Sequence, residues 1–331
     1  MPLISSSLYK SPWWLSQNGH IQTIYPYYLR RVKELPYLRE RINTLDGDFI
    51  DVDWYKQPVT NSKLNDTLLI VLHGMEGHSL RPYILGLVTK ATQSGFDALA
   101  VNFRGCSGQP NRYLHAYHSG QTDDLHFLVD RIAQTNTYRR IFLAGFSLGG
   151  NVVLKYLGEH GTNIANLVKA AVAFCVPTNL AESANIMGKG FNRNYEKSFL
   201  NSLKQKLAEK ADRFPEDIDL LTVNSMQRLF DFDEYYTSRV HGFENAADYY
   251  AKANSHQFLP FICVPTLLIN PLNDPFLPPA CYPTEIARQS NYFYLELPKH
   301  GGHIGFYTAN AKNGIYWHDE RALSFLIEKG A

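Results

Sequence analysis

A short segment near the middle of the chain constrains the fold more than any other part of it. Ile141–Ala144 is an apolar run typical of a strand that is buried on both faces. Gly145–Gly149 then matches the pattern G-x-S-x-G, and an apolar-periodic helix is predicted from about Asn151 to Leu157. A strand, a tight turn and a helix in this order place Ser147 at a strained backbone position beyond the end of the sheet.

The serine of this turn has two interpretations. In the first, Ser147 is a nucleophile, and the helix that follows aims its free N–H groups and the positive end of its dipole at the same point. In the second, Ser147 only caps the helix in a glycine-rich turn. The glycines favour the nucleophile, because residues without a Cβ let the strand and the helix approach the turn closely.

Buried strands alternate with helices on both sides of this turn. Strands are predicted at Thr67–Leu72, Asp97–Phe103 and Leu167–Val176, with helices at about Pro82–Ser94 and Thr122–Thr135 between them. This alternation predicts an α/β fold with a mostly parallel central sheet and helices on both faces. Ligands then bind at the carboxyl ends of the strands.

The alternation stops after Pro177, and this divides the chain. Residues 178–260 are polar and helix-forming, which predicts a helical lid insertion over the carboxyl edge of the sheet; the alternative is an independent helical domain. Residues 1–40 are rich in aromatic side chains and are predicted to form an arm packed on the core. The alternative is an exposed surface that docks on a membrane or lines a substrate entrance. The predicted core is residues 41–177 and 261–331.

Composition excludes several classes of partner. The formal net charge of +1 over 331 residues gives no electrostatic basis for binding nucleic acid or an anionic membrane. No apolar run approaches the ~18–20 residues of a membrane span, and Met1–Leu15 lacks the basic and apolar regions of a signal peptide. The four cysteines are widely spaced without a C-x-x-C pair. We therefore expect a cytoplasmic protein without a metal site.

Three predicted loops carry groups that complement one another. Ser147, Asp274 and His303 each follow a predicted strand, so their loops converge at one edge of the sheet. A serine hydroxyl needs a base to take its proton, and the base needs a third group to hold its tautomer. His300 competes with His303 for the role of base, but the small neighbours of His303 suit a tight turn that presents the ring. We predict a catalytic triad of Ser147, His303 and Asp274.

An acyl-transfer site also needs donors for the oxyanion. One is predicted to be the backbone N–H of Leu148, the residue after the nucleophile. The second is predicted to be the N–H of Met75 in the turn His73–Gly77. The alternative is that this segment only connects a strand to a helix. Glu76 in that turn is interpreted as a charge that interacts favourably with the positive N-terminal end of the following helix, rather than as a catalytic carboxylate.

Together these motifs resemble a known family. They are His73–Gly77, Asn102–Gly108, Tyr117–Gly120, Gly145–Asn151, Asn273–Phe276 and Gly301–Phe306. In this combination they resemble the YheT-like branch of the α/β-hydrolases, which includes the embryogenesis-associated and abhydrolase-domain lipases. The resemblance covers most of the chain, and Ser147, Asp274 and His303 match the triad positions of the family. It implies a serine carboxylester hydrolase that acts on acyl esters, with lipid esters as one class.

We therefore expect an esterase that uses no cofactor and hydrolyses short- to medium-chain acyl esters through an acyl-enzyme. Eukaryotic members usually carry an N-terminal membrane anchor, which this sequence lacks, so soluble or dispersed esters are the expected substrates. Thioester hydrolysis and acyl transfer to an alcohol would use the same triad. Haloalkane dehalogenation would need an aspartate at Ser147. The alternative outside enzymes is a non-catalytic ligand-binding or scaffold protein on a hydrolase fold.

Overall fold

The computed structural model describes residues 3–4, 7–16, 18–57, 66–164, 166–309 and 311–330. Its centre is a sheet of 9 strands in the order β1-β9-β8-β7-β6-β4-β5-β3-β2. The bounds of the strands are β1 Leu3–Ile4, β2 Leu38–Asn43, β3 Phe49–Tyr55, β4 Thr67–Leu72, β5 Asp97–Asn102, β6 Arg140–Phe146, β7 Val168–Phe174, β8 Thr266–Ile269 and β9 Phe293–Glu296. Only the pairings of β3 with β2 and with β5 are antiparallel. The mostly parallel sheet confirms the predicted fold class.

Twelve α-helices are assigned in the described residues. Their bounds are α1 Gly19–Leu29, α2 Pro82–Gln93, α3 Asp123–Gln134, α4 Leu148–His160, α5 Leu180–Met187, α6 Asn192–Ala211, α7 Leu220–Ser225, α8 Leu229–Phe232, α9 Ser238–Val240, α10 Ala246–Ala253, α11 Thr284–Gln289 and α12 Trp317–Lys329. Helices α5 to α10 lie between β7 and β8, within residues 178–260. We call residues 178–260 the lid segment.

Both faces of the sheet are covered because the central strands are apolar on both sides. All six residues of β4 are buried, as the continuous apolar run predicts. One face packs against α2 and α12, through residues such as Leu87 and Leu326. The other face packs against α3 and α4, through residues such as Leu128 and Val153. These two layers hold the strand ends in fixed positions, so the loops that follow β4, β6, β8 and β9 reach one edge of the sheet.

Two local features differ from the sequence-based expectation. Helix α4 begins at Leu148 and not near Asn151, because the elbow leads directly into the helix despite the two glycines of its first turn. The N-terminal residues also contribute a strand: Leu3 and Ile4 pair in parallel with β9 at the edge of the sheet. A two-residue strand has too little periodicity to be found in a sequence.

Candidate active site

The turn at Ser147 has the strained geometry that its sequence predicts. Ser147 lies at φ +53° and ψ −119°, between the last residue of β6 and the first residue of α4. Few residues other than glycine adopt this region, and they do so where the surrounding structure holds them there. A Cβ on Gly145 would lie 2.4 Å from the carbonyl oxygen of Gly149, and a Cβ on Gly149 would lie 2.4 Å from that of His73. The glycines of the motif therefore allow three backbone segments to meet behind the serine.

The three side chains predicted to form a triad lie in hydrogen-bonding order. The Nε2 of His303 is 3.0 Å from Ser147 Oγ, and its Nδ1 is 2.8 Å from Asp274 Oδ2. The Asp274 side chain is fully buried, and its other oxygen, Oδ1, accepts a hydrogen bond of 2.9 Å from the backbone N–H of Phe276. His300, the competing histidine, makes no hydrogen bond through its Nδ1 in the described part of the chain. The imidazole of His303 can therefore exchange a proton with the serine while the carboxylate holds its tautomer.

Cys175 lies beneath these groups at the end of β7. One ligand atom each from Cys175, Asp274 and His303 lie within 4.8 Å of one another, so the three could in principle hold a metal ion. The thiol instead accepts a hydrogen bond of 3.1 Å from the backbone N–H of Ile304. Burial, reinforced by the charge of Asp274, raises the pKa of the thiol well above its ordinary value. A metal ion would bind the thiolate form of Cys175, which the raised pKa disfavours. These residues therefore fit a hydrogen-bonded triad with a neighbouring thiol better than a metal site.

The loop that carries His303 is held by helix α1, which the sequence placed only in a packed arm. The backbone N–H of His303 donates a hydrogen bond of 2.8 Å to Thr23 Oγ1. Gln22 is buried, and its Oε1 accepts bonds of 2.7 Å from the backbone N–H of Gly301 and from Asn273 Nδ2. Asn273 precedes Asp274, so one amide oxygen ties together the loops that carry His303 and Asp274.

The two residues predicted to supply the oxyanion donors line the same cavity as the serine. Met75, Leu148 and Ser147 all line it, and a Cβ on Gly74 would lie 3.2 Å from the Cβ of Ser147. Leu148 is the first residue of α4, where the N–H has no partner within the helix. The turn that carries Met75 is fixed on one side by Tyr83, whose hydroxyl accepts a bond of 3.1 Å from the N–H of Gly74.

The role expected for Glu76 was wrong. Helix α2 begins only at Pro82, so Glu76 is not at its start. Its side chain is only 6% exposed and accepts hydrogen bonds from Lys206 Nζ at 2.8 Å and from the Tyr117 hydroxyl at 2.7 Å. Ser202 also donates to it. Because Lys206 and Ser202 belong to α6, this carboxylate anchors the turn of Met75 to the lid segment.

Lys206 carries no signal in the sequence for this contact, and the motif Tyr117–Gly120 does not indicate what the Tyr117 hydroxyl binds. Burial alone would lower the pKa of Lys206, but the neighbouring Cys106 and Glu76 raise it, so the ammonium form persists at neutral pH. The pairing joins residues 130 positions apart in the chain. No pattern of local spacing predicts such a contact.

The cavity in front of Ser147 has a volume of about 660 Å³, which is within the range of small-molecule sites. Its wall is formed by core loops, by α1 and by the lid segment. The aromatic residues of the lid segment that line it are Phe191, Tyr195, Phe199, Phe232, Tyr249 and Tyr250. The cavity is thus large enough for an extended ester, with mainly apolar and aromatic walls.

Arg104 lies away from this cavity and braces the core. Its guanidinium forms a buried ion pair with Asp124, with a distance of 2.7 Å, and also pairs with Asp46. This joins the loop after β5 to the start of α3 and to the β2–β3 turn. His118, from a neighbouring motif, instead lines the cavity, and burial lowers the pKa of its ring well below the ordinary value.

Comparison with known proteins gives a consistent picture. Residues 67–309 match the family model of the alpha/beta hydrolase fold. The chain is 35% identical to YheT of Escherichia coli (strain K12) over 312 residues, covering 93% of this chain and 90% of that protein. It is 27% identical to phospholipase ABHD3 of Bos taurus over 309 residues, covering 92% of this chain and 74% of that protein. Among solved structures, an esterase from Pyrococcus furiosus superposes with a TM-score of 0.57 at 16% identity, covering 89% of this chain and 91% of that one.

Proposed function

Because the chain belongs to the α/β-hydrolase family and is a carboxylic ester hydrolase of the YheT-like branch, we propose that Ser147, His303 and Asp274 are its catalytic triad. The observation that carries the proposal is the unbroken chain of contacts, 3.0 Å from Ser147 Oγ to His303 Nε2 and 2.8 Å from His303 Nδ1 to Asp274 Oδ2. This chain opens into a cavity of substrate size. Our proposal requires no metal or cofactor.

In the first half of the reaction, Ser147 Oγ attacks the ester carbonyl and His303 Nε2 takes the serine proton. The buried carboxylate of Asp274 stabilises the imidazolium that forms. The N–H groups of Met75 and Leu148 donate to the oxyanion of the tetrahedral intermediate. His303 then protonates the leaving alcohol, and the acyl group remains on Ser147.

In the second half, a water molecule gives a proton to His303 and attacks the acyl-enzyme. The tetrahedral intermediate collapses, the carboxylic acid leaves, and Ser147 recovers its proton from the imidazolium. The apolar and aromatic wall of the cavity supports short- to medium-chain acyl esters as substrates.

We also propose a division of the chain that follows this chemistry. Residues 1–40 form an arm on the core and add the edge strand β1 to its sheet. Residues 41–177 and 261–331 form the catalytic core, and the lid segment covers the carboxyl edge of the sheet. Lid residues such as Leu180, Phe191 and Tyr250 support this division, since they line the same cavity as Ser147. Among the described residues, no helix is long and apolar enough to cross a bilayer.

The test is hydrolysis of p-nitrophenyl esters of graded acyl length, together with labelling by a fluorophosphonate. We expect Ser147→Ala to lose about 10⁴-fold or more in kcat and to lose the label. Ser94→Ala, an exposed serine at the end of α2, is the matched control and should retain both. Equal rates in wild type and Ser147→Ala would remove Ser147 from the mechanism.

A further inference from the structure

One carboxylate in the cavity wall has no role in the triad or in the oxyanion site. Asp233 lines the cavity that contains Ser147, and it is partly accessible from it. It begins a π-helical turn, Asp233–Thr237, between α8 and α9. Such turns carry an extra residue in the helix and are frequent at functional sites, because they redirect a side chain away from the regular helical position.

The hydrogen bonds of Asp233 leave acceptor capacity unused. Its Oδ2 accepts a bond of 2.7 Å from the Tyr250 hydroxyl, and its Oδ1 accepts one of 2.8 Å from Thr237 Oγ1. An ionised carboxylate can accept about four hydrogen bonds. Two bonds therefore leave lone pairs for a further donor.

Among the described residues, Asp233 also has no counter-charge. In the part of the chain that the structure describes, no lysine, arginine or histidine forms an ion pair with it. Glu76, the other carboxylate in the cavity wall, is paired with Lys206. The difference matters because a half-buried carboxylate without a cation is stabilised mainly by the hydrogen bonds that it accepts.

The wall of the cavity that Asp233 lines is mainly apolar or aromatic. Leu229, Phe232, Tyr249 and Tyr250 line the same cavity, and all four are buried. Burial raises the pKa of Asp233 to about 6, so the group is mostly ionised at neutral pH. The Asp233 carboxylate therefore has free lone pairs and lines an open, mainly apolar cavity. It is complementary to a ligand that carries a hydrogen-bond donor.

We propose that Asp233, with Thr237 and Tyr250, forms a specificity subsite that binds a hydroxyl or ammonium group on the non-reacting part of the ester substrate. This rests on the proposed function, since the subsite and Ser147 share one cavity. A hydroxyl would donate one hydrogen bond to the carboxylate. An ammonium group would donate in the same way and would also supply the missing positive charge, with aromatic rings beside it.

The experiment compares matched esters that differ only in a terminal donor. One series consists of methyl esters whose acyl chains of increasing length end in methyl, hydroxyl or ammonium. The second consists of acetate esters of simple alcohols, diols and amino alcohols of the same lengths. Release of acid is measured by titration, and the readout is the ratio of kcat/KM for each donor-bearing ester to that of its unsubstituted match.

In the wild-type enzyme, we expect this ratio to be about 10 at one chain length in at least one series. In Asp233→Asn, we expect the same ratio to fall by about tenfold. The hydroxyl and ammonium arms identify which donor is bound. Asp217→Asn removes an exposed carboxylate of the same lid segment and should leave every ratio as in wild type.

Two results would overturn the proposal. One is a wild-type enzyme with no preference for a donor at any length in either series, which needs no variant and so does not depend on folding. The other is an Asp233→Asn variant that slows all esters equally and keeps the ratio, as expected if the carboxylate only orders the lid segment. Failure of the triad would be seen separately, as hydrolysis of the unsubstituted esters that persists in Ser147→Ala.

Discussion

The two sides of the candidate active site are held in place by different parts of the chain and by different chemistry. The side that carries His303, the proposed base, we call the base side. It is held by helix α1 through uncharged groups, the amide of Gln22 and the hydroxyl of Thr23. The side that carries Met75, a proposed oxyanion donor, we call the oxyanion side. It is held by helix α6 of the lid segment through the ion pair of Glu76 with Lys206.

This difference has consequences for how each side responds to change. The strength of a hydrogen bond between neutral groups depends on its direction. Removing one partner leaves a single polar group unpaired, at a modest cost in free energy. Removing one partner of an ion pair leaves an uncompensated charge, which costs more. The oxyanion side therefore depends on where the lid segment lies, whereas the base side depends on the N-terminal residues.

The largest effect is expected within the base side. Asp274→Asn should lower kcat by about 10⁴-fold, because an amide no longer stabilises the imidazolium or fixes the reactive tautomer of His303. Steady-state kinetics with a p-nitrophenyl ester measure this, and circular dichroism checks the fold. A loss of less than about tenfold would mean that Asp274 is not the third member of the triad.

On the oxyanion side, Lys206→Met should lower kcat by about tenfold to a hundredfold with a smaller change in KM. The cause is the Glu76 carboxylate, which is left without its cation and no longer holds the turn of Met75 in place. The free energy of unfolding should fall by about 1–3 kcal/mol. Urea unfolding measures this change.

Two further variants separate this effect from a general loss of lid structure. Lys197→Met removes an exposed lysine from the same helix and should have no effect. Adding Glu76→Gln to Lys206→Met removes the stranded charge, so the double variant should recover part of the activity that the single variant loses. If the free-energy effects of the two substitutions on kcat are simply additive, the ion pair does not hold the turn.

A smaller loss is expected when the uncharged bracing is removed. Thr23→Val should lower kcat by about tenfold, because the backbone N–H of His303 loses its acceptor and the loop shifts slightly. Thr23→Ser keeps the hydroxyl and should restore the rate. A valine variant as slow as Lys206→Met would show that the two sides are equally dependent on their anchors.

The smallest effect is a change in stability, and it concerns Asp233 in the part of the cavity wall that the lid segment forms. The pKa of Asp233 rises from 3.8 to about 6 on folding, because burial disfavours the charge. A carboxyl with a raised pKa destabilises the fold increasingly as the pH rises from about 4 to about 6, and fully above that. Asp233→Asn should therefore gain about 2 °C more in Tm, relative to wild type, at about pH 8 than at about pH 5. A gain independent of pH would show that the carboxylate is not desolvated.

Local patterns in the sequence identified the fold and the three side chains of the predicted triad. The continuous apolar run of β4 and the G-x-S-x-G turn at Ser147 each follow from interactions between near neighbours, so each leaves a periodicity or a motif. The order of strands and helices then determines which loops meet, and this placed Asp274 and His303 on the same edge as Ser147.

Only the tertiary structure decided what holds and surrounds these groups. Lys206 and Asp233 are ordinary polar residues in segments without a motif, and the sequence predicted no individual role for Gln22, Lys206 or Asp233. Their partners lie far along the chain, at Gly301, Glu76 and a cavity wall made by several elements. Spacing in a sequence reports contacts along one helix or strand, whereas burial and pairing between distant segments arise only when the chain is packed.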